Sequence, residues 1–569
     1  MAEMRGTQVK EAPLRSPETV MRLDRLGSNH QCRLSFMRVL LRRLNSENWT
    51  FDVPVFEFDG KGVGVAVYSA HGPERTYSLV CFGHDLSPEQ RSDRVIAHAW
   101  DSTFTLYDGV PTAGDIERLS NNVPKQEAGR VSSREISVSR ANRSVRLFDH
   151  VVDSLAAGRQ PDRALCESVG YLMRTTAVYG SGKLGAADRE LIADRPELAG
   201  PFQAEMLSVY LTRTYVFDLV EHMARVRAPQ TAVRMDPKLR RGFGVGNSTG
   251  LGMAPFLINH PILLNNWVAG REHALARVCR IPRAETSAIE KFRGMLARAR
   301  LNAERWHSRH EIQKGKLDHL KADLELLDAH TAANALEDDE YPWLHLYRWA
   351  EKNLSLEGQE QLVSLMLEPY GDLVDGLADE MSADENRAFP IDAAMTVDEL
   401  KGILKKDYAW ALEIDWESSD SQARVWYISA EKLEPRIGER FNEPIAPYEQ
   451  PLAPGRDAWM MYQDLNRWRS KPSIADFLLR HPEHRHVVRR AQITANYPYA
   501  EIHDNTISQR LLPIDLLRFK LACFGATHFD PRSDRWLRIN MFQNAPFPNE
   551  LGSSDIDDWA YPHLSEKNA

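Results

Sequence analysis

Five glycines, Gly242, Gly244, Gly246, Gly250 and Gly252, fall within residues 242–252 and surround the polar triplet Asn247-Ser248-Thr249. No other stretch restricts the fold so tightly. Glycine loses more backbone entropy on folding than any other residue, so such a run marks angles or close approaches that a Cβ forbids. Met253-Ala254-Pro255 follows, and proline suits the first turn of a helix. Backbone N–H groups ahead of a helix N-terminus form an anion-binding concavity. The sequence therefore predicts a loop in which Gly244, Gly246, Asn247, Ser248, Thr249 and Gly250 hold a small anionic group. A close crossing of two helices would use the same glycines without a ligand.

Two nucleotide-binding patterns fail here. A dinucleotide fingerprint needs GxGxxG after a strand and an acidic residue about 20 positions later at a strand end. The spacing here is GxGxGxxxGxG, and Glu272 falls in a helical context. The fragment Gly180-Ser181-Gly182-Lys183 lacks the upstream glycine of a phosphate loop, where Ala177 stands. It also lacks the hydroxyl after the lysine, where Leu184 stands, so metal-assisted triphosphate hydrolysis is not expected. Lys183 and Arg174 remain as single donors to a carboxylate or phosphate. The wording GNSTGLGMAP…NHP resembles the serine-rich GSSxMPxKxNP loop of the fumarase and aspartase superfamily. The lysine is absent and the serine spacing differs, so no family function is carried over.

His260 follows the glycines, between Asn259 and Pro261. An imidazole is the natural proton carrier at neutral pH, and Asn259 beside it could polarise a substrate. A histidine bonding a backbone group at the proline break is the plain alternative. The pairs His307/His310 and His481/His484 do not match HExxH, and Arg485 beside His484 opposes a cation, so no metal ligands are assigned. No GxSxG elbow supports a covalent serine nucleophile.

Taken in order, residues 1–28 read as a flexible arm and residues 29–150 as a helix, an antiparallel meander and further helices. Within the latter, Arg33, Arg38, Arg42 and Arg43 form the solvated back of a core helix. Alternation and turns place strands at Val53–Phe58, Val63–Ser69 and Thr76–Phe82. The pattern then reads as helical for most of the next 250 residues. Asn121–Arg130 interrupts it, and Lys125, Glu127 and Arg130 there could line a pocket or form a surface turn. Residues 151–335 form a helical body with the glycine-rich loop; in its helix Pro201–Arg227, Arg213 is expected to pair with Asp218 or Glu221. Residues 285–330 suit an antiparallel helical hairpin or a subunit contact. Residues 336–415 read as acidic and helical. Residues 416–569 are mixed, with strands near Arg424–Ile428 and Trp536–Phe542 and helices at Ile474–Leu479 and Pro513–Phe524. The fold class is thus α+β, mainly α-helical, with a small antiparallel sheet near the N-terminus and a mixed C-terminal region.

Composition narrows the function. A net charge of −9 over 569 residues gives no electrostatic footprint for nucleic acid. No window approaches the roughly 20 apolar residues of a membrane span. Five scattered cysteines without a CxxC pair point to reduced, buried thiols and a cytoplasmic location. The expectation is a cytoplasmic enzyme, lyase or hydrolase, acting on a small anionic metabolite by acid–base chemistry, with its cofactor unknown. The alternatives are a non-catalytic helical scaffold, which would suit a homo-oligomer, and a nucleotide-cofactor oxidoreductase.

Overall fold

Alternating apolar residues build the first strands where the sequence predicts them, and β1 (Thr50–Phe58), β2 (Gly64–His71) and β3 (Thr76–Gly83) form an antiparallel meander. The β1–β2 turn is closed by Asp59, whose Oδ1 accepts from the N–H groups of Lys61 and Val63 at 2.9 and 2.9 Å. Gly62 takes the left-handed angle, φ 80°, that this turn requires. A computed structural model describes residues 14–87, 100–124, 131–175, 194–198, 200, 202–247, 261–308, 311–334, 336–381, 389–418, 425–427, 435–437, 450–451, 454–469, 472–503, 513–525, 528–530, 538–552 and 556–562.

The sheet is neither small nor confined to the N-terminus. It continues through β4 (Ser102–Asp108), β5 (Glu135–Arg143), β6 (Tyr171–Thr175) and β7 (Gly244–Asn247). A three-stranded sheet forms from β8 (Val425–Tyr427), β9 (Pro435–Ile437) and β10 (Gln450–Pro451). The large sheet then ends with β11 (His528–Asp530) and β12 (Arg538–Met541), giving the order β1-β2-β3-β4-β5-β6-β7-β12-β11. Neighbours are antiparallel except β6 and β7, which run parallel. The expected helical continuity after Ser87 is therefore interrupted by β4, β5 and β6. These strands are buried almost throughout, although β4 and β5 alternate small polar and apolar residues, as in Thr103-Phe104-Thr105-Leu106 and Ile136-Ser137-Val138-Ser139.

The Gln203–Arg227 helix packs on this sheet. Tyr215 stands at the contact, its ring against Phe58, Tyr68 and Phe104 and its hydroxyl 3.1 Å from that of Ser102. Arg213 does not pair with Asp218 or Glu221. It donates instead to the carbonyls of Phe243, Ala545 and Arg241 at 2.9, 2.8 and 3.1 Å, and its guanidinium lies 4.0 Å from the Phe547 ring. Burial lowers its pKa to about 9. Asp218 accepts from Tyr68 at 2.9 Å, and its pKa is raised by burial.

The arginines near the N-terminus are not a solvated back. In the Phe36–Ser46 helix, Arg38 is fully buried and donates to Glu368 at 2.6 and 2.8 Å and to Asp557 at 2.9 Å. Arg33, just before it, donates to Asp375 at 2.7 and 2.8 Å. Nor do residues 14–28 form an arm: Val20, Met21, Leu23 and Leu26 belong to the main core. Residues 1–13 of that stretch lie outside the described residues.

Several arginines from distant parts of the chain meet on the Leu356–Leu367 helix and the Glu368 that follows it. From Glu357 through Glu368 every residue is buried, including Glu357, Gln359, Glu360, Gln361 and Ser364. Glu360 accepts from Arg15 at 2.7 Å and Arg271 at 2.6 Å, with Arg25 at 3.4 Å. Glu357 accepts from Arg518 at 3.1 Å, and Gln361 donates to Tyr561 at 3.1 Å. The stretch read as an acidic helical region thus contains a core element.

The Thr286–Ala303 and Glu311–Ala333 helices form the expected antiparallel hairpin, tied by Arg293 to the Thr331 carbonyl and by Arg300 to Asp328. The helices Val397–Asp407, Pro454–Arg467, Ile474–Arg480 and Arg485–Asn496 enclose a second core around Leu400, Leu404, Met461, Phe477 and Val488. This bundle leans on the Pro261–Cys279 helix through Ile493 and Ile262. All five cysteines are buried and none is disulfide-bonded. Among the described residues no helix is long and apolar enough to cross a membrane.

Burial raises the Glu360 pKa, but Arg15, then Arg271 and Arg25, outweigh it and bring it from the ordinary 4.5 to about 2. A carboxyl depressed by folding stabilises the folded state fully above its unfolded pKa, and that contribution is lost as pH falls through the folded one. Glu360→Gln leaves buried cations without their charge partner and should cost roughly 3–5 kcal/mol at pH 7. In urea titrations the difference between wild type and variant should shrink as pH falls from 4.5 toward 2. A difference constant across that window would show that the charge of Glu360 is not what holds the helix.

Candidate functional site

The parallel pair β6/β7 gathers residues that the sequence scatters. Across four strands, Asn142 of β5, Arg174 of β6, Gly246 of β7 and Asn540 of β12 lie in one register row. Ala141, Thr175, Asn247 and Ile539 form the next row. Asn142, Arg174 and Asn540 of the first row share a face and are each only 1% exposed, and Asn247 of the second row, on the other face, is equally buried. Asp101 braces this end, its backbone N–H donating to Asn142 Oδ1 at 3.1 Å and its Oδ2 accepting from the Arg143 N–H at 2.9 Å. The Arg140 guanidinium sits 3.8 Å from the Trp100 ring centre, and Thr175 donates to the Arg140 carbonyl at 3.1 Å. In open sheets, ligands favour the region beyond the carboxyl ends of parallel strands.

Arg174 and the first glycines thus meet, although about 70 residues separate them. Gly244, Gly246 and Asn247 nevertheless stand in a strand and not in a loop. The Gly244 N–H is committed to the Gly170 carbonyl at 2.9 Å, so it does not face an anion. At Gly246 a Cβ would fall 2.6 Å from Cγ of the Tyr171 ring, which crosses the strand there. The glycine therefore admits an aromatic side chain. Ser248, Thr249, Gly250, Asn259, His260 and Lys183 lie outside the described residues, as do Lys125, Glu127 and Arg130.

At the opposite, amino end of β7 lies a cavity of about 760 Å³. Its wall includes Gly242 and Phe243, where the glycine-rich stretch begins, together with Arg163, Lys238, Arg241, Arg305, Trp306 and Trp559. The acidic residues of the wall are engaged. Glu167 holds Arg163 at 2.9 Å, and Asp558 holds Arg298 at 2.6 Å. Asp236 caps the short Pro237–Arg241 helix through the N–H groups of Lys238 and Leu239 at 2.9 and 3.1 Å. Arg241 donates to the Asn544 carbonyl at 3.2 Å and reaches Glu550 only at 3.9 Å. Among the described residues Lys238 and Arg305 form no salt bridge, so the wall is positive on balance.

Two reactive-looking neighbours are quiet. Burial pushes the Cys166 thiol up to about 12, which keeps it protonated and non-nucleophilic. His30 lies behind the wall, 4.8 Å from the rings of Trp306 and Tyr561, and burial lowers its pKa to about 3. It is a neutral packing element. Lys238, Arg241 and Arg305 are not among the residues expected from the sequence to bind. The basic run Lys238-Leu239-Arg240-Arg241 directly before the glycines was the available signal.

Compared with known proteins, the chain matches no family model, no curated sequence and no solved structure. Its site is therefore read from its own geometry.

Gly246→Ala should force the Tyr171 ring or β7 to move and cost about 1–3 kcal/mol. Chemical denaturation reads this directly. An unchanged midpoint would mean that the ring swings aside freely and that Gly246 serves another purpose.

Proposed function

We propose that the protein binds a small anionic metabolite, a carboxylate or a phosphate, in the cavity at the amino end of β7. The observation that carries this reading is the convergence there of Lys238, Arg241 and Arg305 on a wall whose carboxylates are already engaged. Trp306 and Trp559 give the same wall an apolar part, and pockets for small molecules combine apolar lining with a few placed polar groups. The reaction we attach to it is acid–base chemistry of the lyase or hydrolase kind. His260, with Asn259 beside it, is the proposed proton carrier. A charge-assisted hydrogen bond contributes about 1.5–3 kcal/mol.

Screening carboxylates and phosphates by thermal shift, followed by calorimetry, should give ligands whose affinity falls about ten- to a hundredfold in Lys238→Glu/Arg305→Glu. His260→Ala should retain binding and lose turnover. Unchanged affinity in the charge-reversed variant would remove the cavity from consideration.

A non-catalytic scaffold is the second reading. Ile312 and Leu326 are 58% and 45% exposed on the Glu311–Ala333 helix, which suits a contact with another copy. Light scattering would then show a multimer that Ile312→Lys/Leu326→Lys reduces to a monomer.

A further inference from the structure

The C-terminal bundle carries a group of side chains that neither the cavity nor the sheet uses. His481 ends the Ile474–Arg480 helix, its N–H bonded to the Phe477 carbonyl at 2.9 Å. Pro482 opens a single tight turn, Pro482–His484, which leads into the Arg485–Asn496 helix. That turn brings the two imidazoles alongside each other, ring centres 5.9 Å apart and planes 25° apart. Phe477 backs both, at 4.8 Å from His481 and 5.8 Å from His484. Asp464 arrives from the facing Pro454–Arg467 helix and completes a group that the sequence could not assemble.

We propose that Asp464, His481, Glu483 and His484 form a structural zinc site. One donor atom from each lies within 4.8 Å of all the others. His484 Nε2 is 2.8 Å from Asp464 Oδ2, and His481 Nδ1 is 3.1 Å from Glu483 Oε1. Tetrahedral zinc with bonds of about 2.0 Å needs donors about 3.3 Å apart, so the group closes around an ion with adjustments of at most about 1.5 Å between donors. Glu483, the most exposed member, has the most room to make them, while His481 and His484 are both held by stacking on Phe477. Two neutral imidazoles and two carboxylates carry a charge of −2, which a divalent cation cancels. Nitrogen and oxygen donors of this kind suit zinc, and four protein donors describe a closed site rather than a catalytic one with an open position.

The cations nearby do not block it. Arg467 stands 3.7 Å from Asp464 Oδ1 with its side chain 79% exposed, so it can turn into solvent, and Arg485 is also exposed. A bound zinc would tie the Pro454–Arg467 helix to the turn between the next two helices. That would add to the His484–Asp464 pair that now joins them beside the Phe477 core.

The test uses the full chain, stripped with EDTA and dialysed, then titrated with zinc against a chromogenic chelator. Cobalt as a spectroscopic stand-in reports coordination geometry. The wild type should take up zinc with a stoichiometry of about one per chain, show tetrahedral cobalt absorption, and melt at a higher temperature with zinc than without. His481→Ala and Asp464→Asn should each weaken zinc by about tenfold or more and abolish the thermal response. Glu483→Gln, at a position too exposed to threaten folding, should also weaken zinc. Failure of the wild type to hold zinc against the chelator would overturn the proposal. So would equal affinity in all three variants, which would place the ion among other histidines.

Discussion

Burying a carboxylate in a protein core is costly unless a cation and further hydrogen bonds meet it. The Leu356–Leu367 helix buries two, Glu357 and Glu360, and Glu368 follows directly. Their partners, Arg15, Arg25, Arg33, Arg38, Arg271 and Arg518, come from both ends of the chain and from its middle. The helix therefore cannot be buried until distant segments have arrived. Arg38 joins the Phe36–Ser46 helix and the segment around Asp557 to the same set of charges. Replacing the ionic core with apolar side chains of the same volume need not destabilise the fold, but removing one member of it does.

The sequence revealed those parts of the fold that depend on neighbours in the chain. The meander from Thr50 to Gly83 is marked by tight turns at Asp59–Gly62 and His71–Glu74 between β-branched and aromatic runs, and Pro513–Phe524 begins at a proline that marks the first turn of a helix. β4 and β5 carry a short alternation of their own, Thr103-Phe104-Thr105-Leu106 and Ile136-Ser137-Val138-Ser139, which the reading of this region as helical overlooked. The Glu357–Glu368 run read only as acidic and helical because the arginines that meet it lie roughly 90 to 345 residues away. A charge pattern by itself does not distinguish a solvated face from a paired interior.

The site was legible to a similar degree. Arg174 and Gly246 were both singled out, and they do meet, but as register partners in adjacent strands. The glycines were read as an anion-holding loop or a close helix crossing, whereas Gly246 makes room for the Tyr171 ring and Gly244 is tied into the sheet. The cavity draws on residues near positions 163, 240, 305 and 543. No local pattern announces such a convergence, because it exists only once β12 has paired with β7 and the helical hairpin has packed nearby.

The place of β12 between β7 and β11 has a consequence for synthesis. β7 is complete at Asn247, yet the strand that covers its open edge ends at Met541, nearly 300 residues later. At translation rates of about 5–20 residues per second, the growing chain carries that edge uncovered for roughly 15–60 s. An unpaired edge invites pairing with a neighbouring chain. β7 is only four residues long and half glycine, which makes it a poor template for such pairing. The same composition that admits Tyr171 also limits self-association on the ribosome.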